Sequence, residues 1–429
     1  MAVALQAVRG MNDVLPDEAT LWQRFEDTAR TVFEHYGYRN LRVPIVEPTP
    51  LFVRSIGEHT DVVEKEMYTF EDKLNGDSLT LRPEATAGIV RAAIEHNLTY
   101  ERPARVWTSG PMFRHERPQK GRYRQFHQLD VEALGFSGPD VDAEQIVMLS
   151  RLWRALRLSG IALEINSIGD AAERRAHRAA LIEHFGQHES SLDEDGKRRL
   201  HANPLRILDS KHPPLQQVIA GAPRLVDQLG VESRTHFDAL CSLLEESGIR
   251  YAVNPRLVRG LDYYNRTVFE WTTDALGAQG TVAGGGRYDG LFEALGGKPT
   301  PACGFAVGIE RMILLMHAQG AVPIGGIDAY VVHAGERASV LARRVAETLR
   351  DHGARVLLHA GGGSFKSQMK KADASGARLA LIVGDEEAAA GTVSIKQLRH
   401  GGDQVSVPVH ELPARFAALN VSKDEYGCL

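Results

Sequence analysis

Cysteine is nearly absent. Only Cys241, Cys303 and Cys428 occur in 429 residues, far apart and never as C-x-x-C. That spacing excludes a disulfide framework and a cysteine zinc site, and it suits a reduced, cytoplasmic compartment. Long apolar runs are missing too. Mean hydropathy is -0.24, and no stretch approaches the roughly 18 apolar residues that span a bilayer, so no membrane association is expected. The opening residues Met1–Leu5 carry neither a basic region nor a long apolar core, so no secretory signal is expected. No fixed-period repeat and no low-complexity tract occurs.

Common nucleotide and metal motifs are missing as well. Residues 361–367 resemble a P-loop, but Phe365 stands where glycine must precede Lys366. Residues 284–290 miss G-x-G-x-x-G because Asp289 replaces the last glycine. There is no H-E-x-x-H. His184 and His188 lie four apart on a predicted helix, where a solvated face accounts for them, so no metal site built from cysteine or histidine clusters is expected. None of this excludes ATP. The net charge of -5 argues little for a polyanionic partner, but a local basic patch binds phosphate even on an acidic protein.

What is present is an ordinary globular balance, 43% hydrophobic and 24% charged, in a chain long enough for two or three domains. Leu21, Trp22, Phe25, Val32, Phe33 and Tyr36 form one apolar helix face, stopped by Gly37. Residues 39–46 read as one strand. Further strands are predicted near 67–70, 78–82, 104–108, 111–115 and 125–134, with Asn75-Gly76-Asp77 as a hairpin turn and a helix over 84–97. Paired sequential strands predict a mainly antiparallel sheet. From about 140 to 250 the pattern turns helical, over 141–158, 171–189, 214–229 and 232–247. Residues 251–310 return to strands and glycine turns. After a linker candidate at 323–327, apolar runs at 329–333, 355–359 and 379–383 alternate with amphipathic helices, one carrying Leu341, Val345 and Leu349. This predicts a small α/β domain.

Four segments carry chemistry. Residues 114–127 hold four Arg, one Lys, two His and a single Glu. With Pro118 and Gly121 in the middle they read as strand, loop, strand, and arginine supplies a rigid donor fork for phosphate. Gln128, Asp130 and Glu132 alternate with Leu129 and Val131, which puts a polar stripe on one strand face. Leu257–Glu270 combines Arg259, Asp262, Tyr263 and Tyr264 before a strand. Gly304–Leu315 reads as a strand entering an apolar helix with Arg311 in its first turn. A cation is unfavourable there, so Arg311 calls for an anionic partner.

Together these segments resemble the class II aminoacyl-tRNA synthetases. Tyr36-Gly37-Tyr38 with Val43-Pro44-Ile45-Val46 resembles the first class motif, a dimer-interface helix and strand. Phe113-Arg114-His115-Glu116 with its loop resembles the second motif, and Gly304–Arg311 the third. Leu257–Tyr264 and Ala283–Leu291 are similar to the two histidine signatures of the histidyl-tRNA synthetase family.

The resemblance implies a histidine–tRNA ligase. Such an enzyme activates L-histidine with ATP to histidyl-adenylate, transfers it to the 3′ end of tRNA(His), and forms AMP and diphosphate. It implies Mg2+ bound mainly through the ATP phosphates, and a cytoplasmic homodimer. The implied fold class is an α+β catalytic domain with a mainly antiparallel sheet flanked by helices, plus a helical insertion and a C-terminal α/β domain. The boundaries follow as 1–169 and 251–322 for the catalytic parts, 170–250 for the insertion and 328–429 for the anticodon-binding domain.

Residue roles are implied in the same way. Arg114 and Arg259 are the catalytic pair, holding the α-phosphate from opposite sides, and Arg311 completes the ATP site. Glu84, Thr86 and Gln128 take the substrate's α-amino group. Glu132 and Tyr264 read the imidazole, with Tyr263 and Tyr288 shaping the pocket. Ala85 stands beside them where glycine is expected in many relatives. Arg117, Gln119, Lys120 and Arg122 approach tRNA, and Lys366, Lys370 and Lys371 lie on one helix face of the tail. An alternative resemblance is to the non-catalytic synthetase-like regulatory subunit of ATP phosphoribosyltransferase. It is expected to lack the tail domain and an Arg259-type signature, both of which this chain keeps.

Overall fold

The computed structural model describes residues 4–58, 60–202, 204–208, 210, 212–321, 326–399 and 403–420. Residues 323–325 of the expected linker, and Cys428, lie outside them. The chain forms two compact units, residues 1–323 and 324–429.

In the first unit, helix α1 (Pro16–His35) starts with Pro16, Asp17 and Glu18, residues suited to a helix N-terminus. Its stripe of Leu21, Trp22, Phe25, Ala29 and Phe33 is buried. The single strand expected over 39–46 is not formed. β1 (Arg39–Asn40) and β2 (Val46–Pro48) belong to different sheets. Pro44, which has no N–H to give a ladder, lies between them. Then come α2 (Thr49–Ile56), β3 (Tyr68–Glu71), β4 (Ser78–Leu81), α3 (Thr86–Glu95), β5 (Ala104–Phe113) and β6 (Gln125–Leu134). β3 and β4 pair as the expected hairpin, with Glu71 opposite Ser78.

β5 is one strand, not the two expected over 104–108 and 111–115. β1 pairs only with Val106 and Trp107, so Pro111 lies where β5 has a partner on one side alone. Next are α4 (Pro139–Ala155), β7 (Ala162–Ser167), α5 (Ala171–Gly186), α6 (Glu194–Ala202), α7 (Gln216–Ala220), α8 (Val231–Glu246), β8 (Ala252–Val253), β9 (Asn265–Thr272), β10 (Thr281–Arg287), α9 (Leu291–Ala294), β11 (Ala302–Gly308) and α10 (Ile309–Ala318). The long helix expected over 214–229 shrinks to α7, because Pro213, Gly221 and Pro223 bracket it.

The strands form an eight-stranded sheet in the order β1-β5-β6-β11-β10-β9-β7-β8, antiparallel except at its two ends. The mainly antiparallel, helix-flanked sheet is therefore as expected. β7, unexpected in a stretch read as helical, is part of it. α4 and α8 bury Ile146, Leu149, Trp153, Phe237 and Leu240 in the same core as α1 and the sheet. α5, α6 and α7 close around a separate small core that includes Leu181, Phe185, Leu200 and Ile219.

The second unit has β12 (Ala329–His333), α11 (Glu336–Asp351), β13 (Val356–Leu358), α12 (Phe365–Ala374), β14 (Leu379–Val383), α13 (Asp385–Ala390), β15 (Thr392–Gln397), β16 (Val405–Pro408) and α14 (Leu412–Asn420). Its sheet runs β13-β12-β14-β15-β16, with the first three strands parallel. This is the expected α/β domain. α11 buries Ala342, Val345 and Leu349, while Leu341 of the predicted face is only partly buried.

Candidate active site

A cavity of about 730 Å3 opens on the face of the large sheet that carries Gln128 and Asp130. Neighbouring strands β6, β11, β10 and β9 form its floor, and the segments before α3, after β5 and before β9 form its walls. The register explains why the floor is open. A methyl at Gly284 would strike the Arg259 guanidinium, and one at Gly304 would strike the Glu132 carboxylate. Gly284, in the second histidine signature, and Gly304, at the start of the third class motif, make room for charged side chains.

Arg114, Arg259 and Arg311 all line this cavity. Arg114 donates from Nε to Pro83 O at 2.9 Å and lies over the Phe126 ring at 5.3 Å. Burial, with the neighbouring Arg259 charge, lowers its pKa although Glu66 and Glu84 oppose this. Arg259 is ion-paired with Glu270, and Glu270 also accepts from Thr281 Oγ1 at 2.9 Å. Burial works against the Arg259 charge, but the Tyr264 hydroxyl and Glu270 outweigh it and raise the pKa.

Arg311 lies in the first turn of α10, as expected, but its hydrogen-bond partners are neutral. It donates to Gly121 O at 3.1 Å, Thr281 O at 2.6 Å and Gln279 Oε1 at 3.0 Å. Glu310, the adjacent carboxylate, is taken by the backbone N–H and Nδ1 of His127, both at 2.9 Å. Burial, then the charges of Arg122 and Arg114, lowers the Arg311 pKa. Among the described residues neither Arg114 nor Arg311 is held in an ion pair, which leaves both guanidinium groups available to an anionic ligand.

At the other end, Glu84 accepts the N–H groups of Thr86 and Ala87, each at 2.9 Å, and so caps α3. Thr86, Gln128, Tyr263 and Tyr264 line the cavity with it. Glu132 and Tyr288 do not. Both are about 1% exposed and lie behind the lining. Glu132 accepts from Thr86 Oγ1 at 2.6 Å and from the Tyr288 hydroxyl. Burial raises the Glu132 pKa well above the usual carboxylate value, and the hydrogen bonds from Thr86 and Tyr288 only partly offset this. Tyr288 packs against Tyr263 and Tyr264, with ring centroids 5.6 and 6.4 Å apart. Ala85 is fully buried in the apolar cluster with Ile89, Tyr264 and Tyr288 and does not line the cavity.

The basic loop folds into a short hairpin. Gln119 and Arg122 exchange backbone hydrogen bonds at 3.0 and 2.9 Å, and Gly121 turns the chain with φ +75°. Gln119 and Arg122 border the cavity, whereas Arg117 and Lys120 do not and face solvent. Arg122 is paired with Glu116. In the second unit, Lys366, Lys370 and Lys371 lie on α12.

Two structural features in and beside the cavity escaped sequence reasoning. Asp130 was visible on the polar stripe but received no role, and it lines the cavity while almost fully buried. Arg287, inside the second signature, is entirely buried. It donates to Asp142 Oδ1 at 2.6 Å, Asp289 Oδ1 at 3.0 Å and the carbonyls of Phe136 and Gly138. His236 and Thr267 complete the Asp142 cluster at 2.8 and 2.7 Å. This network fixes the strand end next to Tyr288.

An antiparallel sheet with arginines converging over it, one from the strand–loop–strand segment and one from the helix that follows the last strand, defines a class II aminoacyl-tRNA synthetase core. Two family models match the chain: histidyl-tRNA synthetase over residues 10–312 and an anticodon binding domain over residues 328–419. The histidine–tRNA ligase of Bordetella avium is 64% identical over 396 residues, 92% of each chain. That of Dechloromonas aromatica is 60% identical over 427 residues, 99% of this chain and all of the other. The apo histidyl-tRNA synthetase of S. aureus has a matching structure with TM-score 0.80 at 34% identity, covering 96% of this chain and 100% of that one. The chain belongs to the histidyl-tRNA synthetase family.

Proposed function

We propose that the chain is a histidine–tRNA ligase. It joins the carboxylate of L-histidine to the α-phosphorus of ATP, with loss of diphosphate, and then esterifies the terminal ribose of tRNA(His), with loss of AMP. The observation that carries this reading is the meeting of Arg114, Arg259 and Arg311 in one cavity with a buried Glu84–Thr86–Glu132–Tyr288 chain.

The first step brings a carboxylate to a triphosphate. Arg114 and Arg259 neutralise both anions and stabilise the charge that spreads over the phosphoryl oxygens. The new bond joins a histidine oxygen to the α-phosphorus as the bond to the leaving diphosphate breaks. No protein base is required, because the attacking carboxylate is already ionised. Arg311 holds the adenine and γ-phosphate end. Glu84, Thr86 and Gln128 take the α-amino group, and Glu132 with Tyr264 takes the imidazole. A site that hydrogen-bonds its substrate rejects analogues lacking the partner by about 10⁴–10⁵.

Among the described residues no group of three or more His, Cys, Asp or Glu side chains is arranged to hold a metal ion. Two carboxylates of the lining, Glu116 and Glu270, are paired with Arg122 and Arg259. This donor set fits magnesium that arrives on the ATP phosphates and neutralises their charge.

In the second step the ribose oxygen attacks the histidyl carbonyl. Arg117, Gln119, Lys120 and Arg122 meet the acceptor end of tRNA, and the unit beginning at residue 328 reads the anticodon. Residues 1–169 and 251–322 form the catalytic domain in this reading, and residues 170–250 an insertion. The protein acts as a cytoplasmic homodimer. No helix among the described residues is long and apolar enough to cross a membrane. The match of an anticodon binding domain over 328–419 supports the ligase over the regulatory-subunit alternative. The test is ATP–pyrophosphate exchange with each amino acid in turn, followed by charging of tRNA(His). Exchange with histidine alone is expected, and exchange with none would overturn the reading.

A further inference from the structure

The amino-group subsite contains two buried oxygens without partners. Gln128 Oε1 and Asp130 Oδ2 are both shielded from solvent and accept no hydrogen bond. They lie two residues apart on the cavity face of β6, roughly 7 Å along the strand. Asp130 is 1% exposed, and it stands in register with Thr108 of β5 and Ala306 of β11. A buried acceptor left unpaired is costly, so such an atom at a cavity wall marks where a ligand donor belongs.

The other carboxylates are committed. Glu84 caps α3 with both oxygens, and Glu132 accepts from Thr86 and Tyr288. An ammonium group has three N–H donors. Gln128 Oε1, Asp130 Oδ2 and the remaining lone pairs of Glu84 are three acceptors on its side of the cavity.

We infer that Asp130 is a specificity-determining residue whose carboxylate accepts a hydrogen bond from the substrate's α-ammonium group. This inference rests on the histidine-activating reading above and assigns that site a residue it lacked. The charged groups facing Asp130 are Glu84 and Arg82 from the segment between β4 and α3, Arg114 from the end of β5, and Glu132 on its own strand. Burial, then the Glu84 charge, pushes the Asp130 carboxyl up to about 8, against the pull of Arg82 and Arg114. In the empty site the carboxyl is protonated at neutral pH. Histidine binding converts Asp130–COOH and a free ammonium into a carboxylate–ammonium pair, and one proton leaves to solvent.

The test is calorimetric titration at pH 7 in two buffers of different ionisation enthalpy, with L-histidine and with imidazole propionate, which keeps the ring and the carboxylate but lacks the amino group. The wild-type protein is expected to release more protons with histidine than with imidazole propionate. Asp130→Asn is expected to weaken histidine by roughly ten- to a hundredfold, the range of a hydrogen bond to a charged group, and to leave imidazole propionate unchanged. Equal weakening of both ligands, or equal proton release in the wild-type protein, overturns the inference. The second readout needs no variant. Absence of histidine binding to the wild-type protein overturns the parent reading instead.

Discussion

Gly304 of β11 sits directly opposite Glu132 of β6, and a methyl on Gly304 would occupy the space of the Glu132 carboxylate. The position of Glu132, proposed above to read the imidazole, thus depends on a missing side chain. Gly304→Ala is expected to displace Glu132 from Thr86 and Tyr288 and to raise the KM for histidine at least tenfold, the loss of about one charged hydrogen bond. The KM for ATP should change little. Histidine-dependent ATP–pyrophosphate exchange measures both, and an unaltered histidine KM would show that Glu132 does not read the substrate.

Arg311 differs from Arg259 in a way that predicts different phenotypes. Arg259 already has Glu270 as a counter-ion, while Arg311 donates to neutral oxygens and has no ion pair among the described residues. Removing Arg259 therefore leaves the Glu270 carboxylate facing the incoming phosphates. Arg259→Ala is expected to lower the exchange rate by about 10²–10³, as for loss of a transition-state donor. It should recover in part when combined with Glu270→Gln. Arg311→Ala should mainly raise the KM for ATP, with no rescue by Glu270→Gln. Equal behaviour of the two double variants would refute this distinction.

Much of this site was legible because its chemistry is local in sequence. Arg114 belongs to a segment that reads as strand, loop, strand, Arg311 begins a helix, and Gln128, Asp130 and Glu132 alternate, so pattern puts each on its element while the resemblance implies its role. Among the described residues Arg311 has no anionic ion-pair partner of the kind expected from the helix dipole, and its guanidinium lines the cavity instead. Other features depend on contacts far apart in sequence. The Arg287–Asp142 pair spans 145 residues. The break of residues 39–46 into two sheets depends on what Trp107 and Leu81 offer as neighbours. Strand β7 was hidden because six residues between two helices carry too little periodicity to stand out.

The Arg287–Asp142 pair makes a stability prediction. Burial alone would raise the Asp142 pKa, but the hydrogen bond from His236 and the Arg287 charge depress it to about 2, from 3.8. A depressed carboxyl contributes stability that is complete above the unfolded value and disappears as pH falls through the folded one. The contribution is about 2 kcal/mol, present above pH 4 and lost toward pH 2. Asp142→Asn at pH 7 breaks the shorter of the two ion pairs of the buried Arg287 and leaves it with Asp289, and is expected to cost about 3 kcal/mol, the low end for a broken buried pair. Thermal unfolding against pH checks both. The variant should lose the acid limb, and it should also bind histidine less tightly because Tyr288 follows Arg287 in the chain.

Lys120 and Arg122 offer the last contrast. Both are exposed in the hairpin of the basic loop, but Arg122 is already paired with Glu116, and Glu66 lies 3.9 Å away. Lys120 takes part in no ion pair among the described residues. A cation without an internal partner releases a counter-ion when it meets a phosphate, whereas a paired cation must first give up its carboxylate. If this loop meets tRNA, Lys120→Ala should reduce the slope of log Kd for tRNA(His) against log salt by about 0.7–0.9, the value for one phosphate contact. Arg122→Ala should change the slope less, and the wild-type exchange rate should survive Lys120→Ala, since Lys120 does not line the cavity. Binding measured from low to moderate salt decides the matter. An unchanged slope in Lys120→Ala would move the tRNA contact away from the loop tip and onto the residues that border the cavity.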